Sequence, residues 1–124
     1  LLNWMEKNKV DYTNTFCNLM EINSDKVYKN NDFINWKYQW QKRSELNNST
    51  KEKQNKLMKA NNPTVIPRNH KVEEALSAAE NGNFDKMKKL LTILKYPYNK
   101  QSNIEEYQSP SPLSDKKYQT FCGT

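Results

Sequence analysis

Glycine is almost missing from this chain: Gly82 and Gly123 are the only two in 124 residues. A loop that cradles phosphate needs several glycines at close spacing, so P-loop and dinucleotide-binding fingerprints are excluded. Histidine occurs once, at His70, and cysteine twice, at Cys17 and Cys122. That supply is too thin and too scattered for a metal site, and two cysteines do not make a disulfide framework. Nothing in the spacing brings a cysteine to the histidine for nucleophilic catalysis. No apolar run approaches the roughly 20 residues of a membrane helix, and the start lacks the basic and apolar regions of a signal peptide. The chain is therefore expected to be cytoplasmic, without a membrane partner, and to hold no catalytic residue, metal or cofactor of its own.

What the chain does have is large side chains and positive charge. Apolar residues make up only 35%, yet three Trp and seven Tyr are present, which points to a modest core built from few, bulky groups. The formal charge is +6, which fits nucleic acid, an anionic membrane or an acidic protein face. The lysines, however, are interleaved with Asp and Glu and never form a run of five or six like charges. A solvated surface is the simpler reading.

In chain order, Leu1, Leu2, Trp4 and Met5 are expected to be buried on a first short helix. Asp11 can cap a second, on which Tyr12, Phe16, Leu19 and Met20 form a stripe at i, i+4, i+7 and i+8. Cys17 beside that stripe is expected to be a small buried group. Asp32 can cap a helix with Phe33, Trp36 and Trp40 on one face and Ile34 and Tyr38 in a second row. Trp36 and Trp40, with Lys37, Lys42 and Arg43, have the composition of a stacking patch for nucleic acid. Their helical spacing favours packing instead. Ser49 or Thr50 can cap the next helix, with Glu52 at capping-box distance from Ser49. That helix, 51–60, carries a charged face and is expected to lie outside.

Two amphipathic helices then flank Asn81-Gly82-Asn83. Val72, Ala75, Leu76 and Ala79 share a face of the first, and Phe84, Met87, Leu90, Leu91 and Leu94 a face of the second. Pro67 can sit in the first turn, Gly82 suits the positive φ at the end of the first helix, and Pro97 closes the second. His70, alone near the start of this αα-hairpin, reads as a solvated or hydrogen-bonded side chain rather than a base. From Asn99 on, two Ser-Pro pairs and scattered tyrosines without an apolar period predict an extended, irregular tail. Cys122, third from the end and close to Lys116 and Lys117, is the one candidate for thiol chemistry.

Four segments together resemble the C-terminal region of the selenoprotein O family, called YdiU in bacteria. They are LLNWMEKNKVDYTNTF, NNPTVIPRNHKVEEALSAAENGNFDKM, LLTILKYPY and the terminal YQTFCGT. Asn62-Pro63, Pro67-Arg68-Asn69 and Ala79-Glu80-Asn81-Gly82 are the more specific features. The start at Leu1-Leu2-Asn3-Trp4-Met5, without an initiator methionine, fits a piece of a longer protein. The resemblance implies a parent with a kinase-like fold that transfers AMP from ATP, with Mg²⁺, to Ser, Thr or Tyr hydroxyls of proteins. Its catalytic and nucleotide-binding residues would lie upstream, so none is carried over to this chain. Cys122 matches the family's near-terminal selenocysteine or cysteine, which implies a redox-regulatory thiol, with a disulfide to a cysteine of the kinase-like part as its proposed form. The family often ends Cys-Ser-Ser, whereas this chain ends Cys122-Gly123-Thr124.

The sequence thus predicts an all-α region over 1–98, about four to five short helices, and a tail over 99–124 ending in Cys122. Arg68 and Asn69 are candidates for contact with the upstream kinase-like domain, or for fixing the helix start locally. A fragment inactive in isolation, accessory to an adenylyltransferase, is the leading reading. A basic helical module for nucleic acid or an acidic protein is the other, and the interleaved charges argue against nucleic acid.

Overall fold

Seven α-helices and no strand occur among the residues described by the computed structural model, 1–20, 26–47 and 49–111. The all-α expectation holds. The helix count exceeds four to five: each expected helical stretch forms a helix of its own, and a further helical turn forms beyond Asn99. The chain divides into two units, Leu1–Val65 with Pro97–Lys100, and Ile66–Tyr96 with the chain from Gln101 onward.

The first unit holds α1 (Leu2–Asn8), α2 (Tyr12–Leu19), a 3₁₀ turn (Lys26–Lys29), α3 (Asn31–Leu46) and α4 (Lys51–Asn61). Each of the last three α-helices begins on a side-chain oxygen. Asp11 accepts from the Asn14 amide at 2.9 Å, Asn30 from Asp32 at 2.9 Å, and Thr50 from Lys53 at 3.2 Å. Such caps satisfy amides that the helix itself leaves open. Asn30 therefore takes the role expected of Asp32, which falls in the first turn, where its charge suits the helix dipole. Thr50, not Ser49, is the cap of α4.

Trp4, Met5, Leu19, Tyr28 and Phe33 form the buried cluster of this unit, with Phe16, Trp36, Trp40 and Met58 packed around it. Phe33, 1% exposed, lies 4.7 Å from the Trp4 ring and 5.2 Å from that of Tyr28, centroid to centroid. Full burial of one such side chain contributes about 1.5–3 kcal/mol. Its polar edges are satisfied: Trp4 Nε1 donates to Asn30 Oδ1 at 3.3 Å, and the Thr15 and Tyr28 hydroxyls share a bond of 3.2 Å. Trp36 and Trp40 stack on each other, nearly parallel at 8° and 6.0 Å apart, against this core. Leu2 and Tyr12, expected inside, are exposed; each sits at the outer edge of a helix of eight residues or fewer, where one face is enough to reach the core. Helix α4 buries no residue.

Asn62 to Val65 complete the unit. Thr64 is 2% exposed and Val65 1%. The Thr64 amide donates to Pro97 O at 2.7 Å, and its hydroxyl reaches Pro97 O at 3.0 Å and Asn99 O at 2.9 Å. Cys17 is buried as expected, with its thiol 3.6 Å from Pro63 O.

The second unit holds α5 (Asn69–Glu80), α6 (Asp85–Leu94) and the single turn α7 (Glu105–Gln108). Helices α5 and α6 pack on each other as the predicted hairpin. Pro67 lies outside α5 rather than in its first turn, because Arg68 keeps an extended backbone (ψ 127°) and takes the capping position. On α6 the buried residues are Leu90 and Ile93, while Phe84 and Leu91 stay exposed. The apolar stripe was therefore read with the right period and a shifted phase. α7 falls in the stretch expected to be irregular, and it forms because Ile104 and Tyr107, three apart, are both buried.

The same ending closes α1 and α5. The Val10 amide returns to Met5 O at 3.1 Å and Lys9 to Glu6 O at 3.1 Å; Asn83 returns to Ala78 O and Gly82 to Ala79 O, both at 2.9 Å. This double bond pattern requires one left-handed residue, which is Gly82 (φ 81°) in one case and Lys9 (φ 51°) in the other. A Cβ at residue 82 would meet nothing within 4 Å, so only the backbone conformation opposes a side chain there. Left-handed conformation costs an L-residue about 1–2 kcal/mol. Gly82→Ala is expected to lower stability by about that amount, and Lys9→Gly to raise it by ~1 kcal/mol, in urea melts followed by circular dichroism. Equal midpoints for all three proteins would show that neither φ angle is a constraint.

Candidate functional site: a clasp on the helical hairpin

The densest group of interacting charges among the described residues lies where α7 meets the α5–α6 hairpin. It has a local origin. Lys71 occupies the first turn of α5, Lys89 the middle of α6, and Glu106 and Tyr107 the single turn of α7. Lys71 Nζ lies 3.3 Å from Glu106 Oε2 and Lys89 Nζ 3.2 Å from Glu106 Oε1, so one carboxylate bridges both helices. The same two ammonium groups stand over the Tyr107 ring, at 5.7 Å and 5.2 Å from its centroid. Charge and ring quadrupole act together there. Glu74 adds a second carboxylate, 3.4 Å from Lys71 and 3.7 Å from Lys86.

Hydrogen bonds from Lys89 and then Lys71 hold the Glu106 carboxyl below its ordinary pKa of 4.5. The bond to Glu106 raises Lys89 above 10.5 in return. For Lys71, burial pulls the pKa down, but Glu106 and Glu74 outweigh it and the net direction is up. The charge contribution is thus complete above Glu106's unfolded pKa and fades as pH falls through its depressed folded one. At the alkaline end it is complete below 10.5 and fades as pH rises through the raised lysine values. Glu106 and Lys89 are both more than half exposed, so salt screens this pairing.

A recess of about 270 Å³ lies beside the clasp. Lys71, Lys86 and Lys89 around it are matched in number by Glu74, Asp85 and Glu106, so its formal charges balance. Its geometry fastens α7.

Of the predicted site residues, Arg68 also fastens α7, whereas Asn69 takes no part in the ion pairs of the clasp. Arg68 donates through Nη2 to Gln108 O at 2.9 Å, tying the start of α5 to the end of α7. Asn69 is the exposed first residue of α5. His70, half-buried, lines an open groove with Glu73, Glu74 and Ser77. Cys122 lies outside the described residues. Among those residues, no group of three or more His, Cys, Asp or Glu could hold a metal ion, and no helix is long and apolar enough to cross a membrane. Sequence reasoning missed Lys71, Lys89, Glu106 and Tyr107. The available signal was Ile104-Glu105-Glu106-Tyr107, two apolar residues at helical spacing around two acids. It was hidden by the polar, proline-containing stretch that surrounds it.

Titration of the Glu106 side-chain carboxyl, followed by NMR, is expected to show a midpoint below 4.5, and Lys89→Met to move it upward. A midpoint near 4.5 in both proteins would mean that the clasp does not form in solution.

Comparison with known proteins gives an unambiguous result. The chain is 52% identical over 126 residues to the protein nucleotidyltransferase YdiU of Pelagibacter ubique (strain HTCC1062). It is 46% identical over 127 residues to the proteins of the same name from Bacillus cereus (strain AH820) and Bacillus anthracis (strain CDC 684 / NRRL 3495). Each match covers 100% of this chain and 26% of the relative, so the chain spans about a quarter of the length of the curated relatives it matches. Neither a family model nor a solved structure matches it. Along its whole length, the chain is similar to the C-terminal quarter of the YdiU protein nucleotidyltransferases.

Proposed function

We propose that this chain is the accessory C-terminal region of a protein adenylyltransferase that moves AMP from ATP onto Ser, Thr or Tyr hydroxyls of other proteins. The observation that carries this reading is the whole-chain match, at 46–52% identity, to proteins named nucleotidyltransferases. ATP and Mg²⁺ are then handled by the preceding, kinase-like part of the polypeptide, and the isolated 124 residues are inactive. The helical part, 1–98, serves as the attachment to that domain, and the tail, 99–124, brings Cys122 to it. Cys122 acts as a redox-regulatory thiol. With a second cysteine of the kinase-like part it forms a disulfide, losing two protons and two electrons to a cellular oxidant, and a thiol reductant reverses the step.

The alternative, a basic module for nucleic acid or an acidic protein, draws on the charge of +6. Two observations weigh against it. Trp36 and Trp40 are packed against the core of their unit rather than offered as free stacking platforms. Lys71, Lys86 and Lys89 are engaged by Glu74 and Glu106.

Transfer of labelled AMP from ATP with Mg²⁺ tests the reading, with the full-length polypeptide and residues 1–124 compared with and without reductant. Transfer is expected from the full-length protein alone, with a redox response that disappears in Cys122→Ser. An identical oxidant response in wild type and Cys122→Ser would remove the regulatory role. Absence of transfer would remove the adenylyltransferase reading, and binding to RNA that weakens steeply with salt would favour the alternative.

A further inference from the structure

Helix α6 is apolar over a wider arc than its own unit covers. At about 100° per residue, Ile93, Leu90, Leu94, Met87, Leu91 and Phe84 spread over about half of the helix circumference. Only one edge of that arc, Leu90 and Ile93, is buried; Leu91 at the other edge is 61% exposed and Phe84 51%. Helix α5 repeats the arrangement, with Ala75 buried and Leu76 49% exposed.

The clasp shows which side of the hairpin these exposed residues occupy. α7 sits where Lys71 and Lys89 point, since both reach Glu106. Leu76 lies about 140° around α5 from Lys71. On α6, Leu91 lies about 160° and Phe84 about 140° from Lys89. The hairpin therefore has two broad sides, one closed by α7 and one left open with Leu76, Phe84 and Leu91 on it. Lys88 on α6 and Lys95 at its end, both exposed, border this open apolar strip along its edge beyond Phe84 and give that edge the polar rim of a protein contact rather than of a ligand pocket.

We infer that this open side is a docking face for the part of the polypeptide that precedes this region in the YdiU relatives. The inference rests on the proposed reading of the chain as the C-terminal region of a longer protein. Two arguments select that occupant. The relatives carry about three quarters of their length beyond the matched 26%, so a large tethered partner is available. A stable pairing of free molecules buries about 800 Å² on each partner, whereas three side chains offer a few hundred at most. A strip of that size is sufficient only when covalent linkage raises the effective concentration of the two surfaces. A second copy of the chain lacks that advantage.

Side-chain footprinting by hydroxyl radicals on the full-length protein tests this. Leu91, 61% exposed here, is expected to react as slowly as the buried Leu90, and Leu76 and Phe84 to be protected several-fold against their exposure in this structure. Leu91→Glu should restore the reactivity of Phe84 and Leu76, while Leu91→Ile should leave them protected. Reaction of all three at the rate of open side chains would overturn the docking face. Protection that appears only as protein concentration rises would also overturn it, in favour of a second copy. AMP transfer is measured on the same samples. Transfer without protection sinks the docking face alone, whereas concentration-independent protection without transfer supports the face and sinks the adenylyltransferase reading.

Discussion

A single buried threonine ties together two stretches of the first unit that lie more than thirty residues apart in the chain. Thr64, 2% exposed, donates through its amide and its side chain to Pro97 and Asn99, more than thirty residues away. Those carbonyls sit at the end of the hairpin, where Pro97 itself cannot donate and the helix has stopped. A buried polar group without a partner costs about 1–3 kcal/mol, so these bonds meet the obligation of the buried Thr64 hydroxyl and amide. Because the bonds join Thr64 to residues on the far side of the hairpin in sequence, they close a long loop that contains all of α5 and α6. The neighbouring Pro63 carbonyl takes the Cys17 thiol, and Val65 is 1% exposed. The family-like stretch Asn62-Pro63-Thr64-Val65 is thus a structural junction.

The second unit depends on a weaker kind of fastening. Ile104 and Tyr107 provide the burial that holds α7, and Arg68, Lys71 and Lys89 supply its polar contacts. Exposed ion pairs are individually small and salt-sensitive, so the apolar contact carries the affinity and the lysines set the position.

Much of this was legible in the residues themselves. Helical spacing found α2, α3, α5 and α6, and the caps at Asp11 and Thr50 and the left-handed Gly82 were readable because each has a specific chemical signature. What failed had a physical cause. Asn30 displaced Asp32 as cap because the two have equal capacity to accept an amide, and only the chain's path decides between them. The stripe on α6 was placed one edge too far because a helix that is apolar over half its surface gives no clue to which half its own unit covers. α7 was missed because one turn has no period. The lysines of the clasp were indistinguishable from solvated ones until Glu106 was brought to them from a distant part of the sequence.

The charge of the chain has to be reread in that light. A total of +6 over 124 residues suggested an anionic partner, but a net charge describes a surface only if the charges are unengaged. Around α7, Lys71, Lys86 and Lys89 are each within 4 Å of a carboxylate, and two of them also stand over an aromatic ring. Lys42 stands over Tyr38 and Lys95 over Tyr96 in the same way, at 4.8 Å and 5.7 Å. Trp36 and Trp40 stack on each other, and Tyr38, Tyr96 and Tyr107 each face an ammonium group of this chain. Around α7, positive charge serves to hold short helices together. The net charge of the chain is therefore no measure of the charge that this part of its surface leaves unengaged.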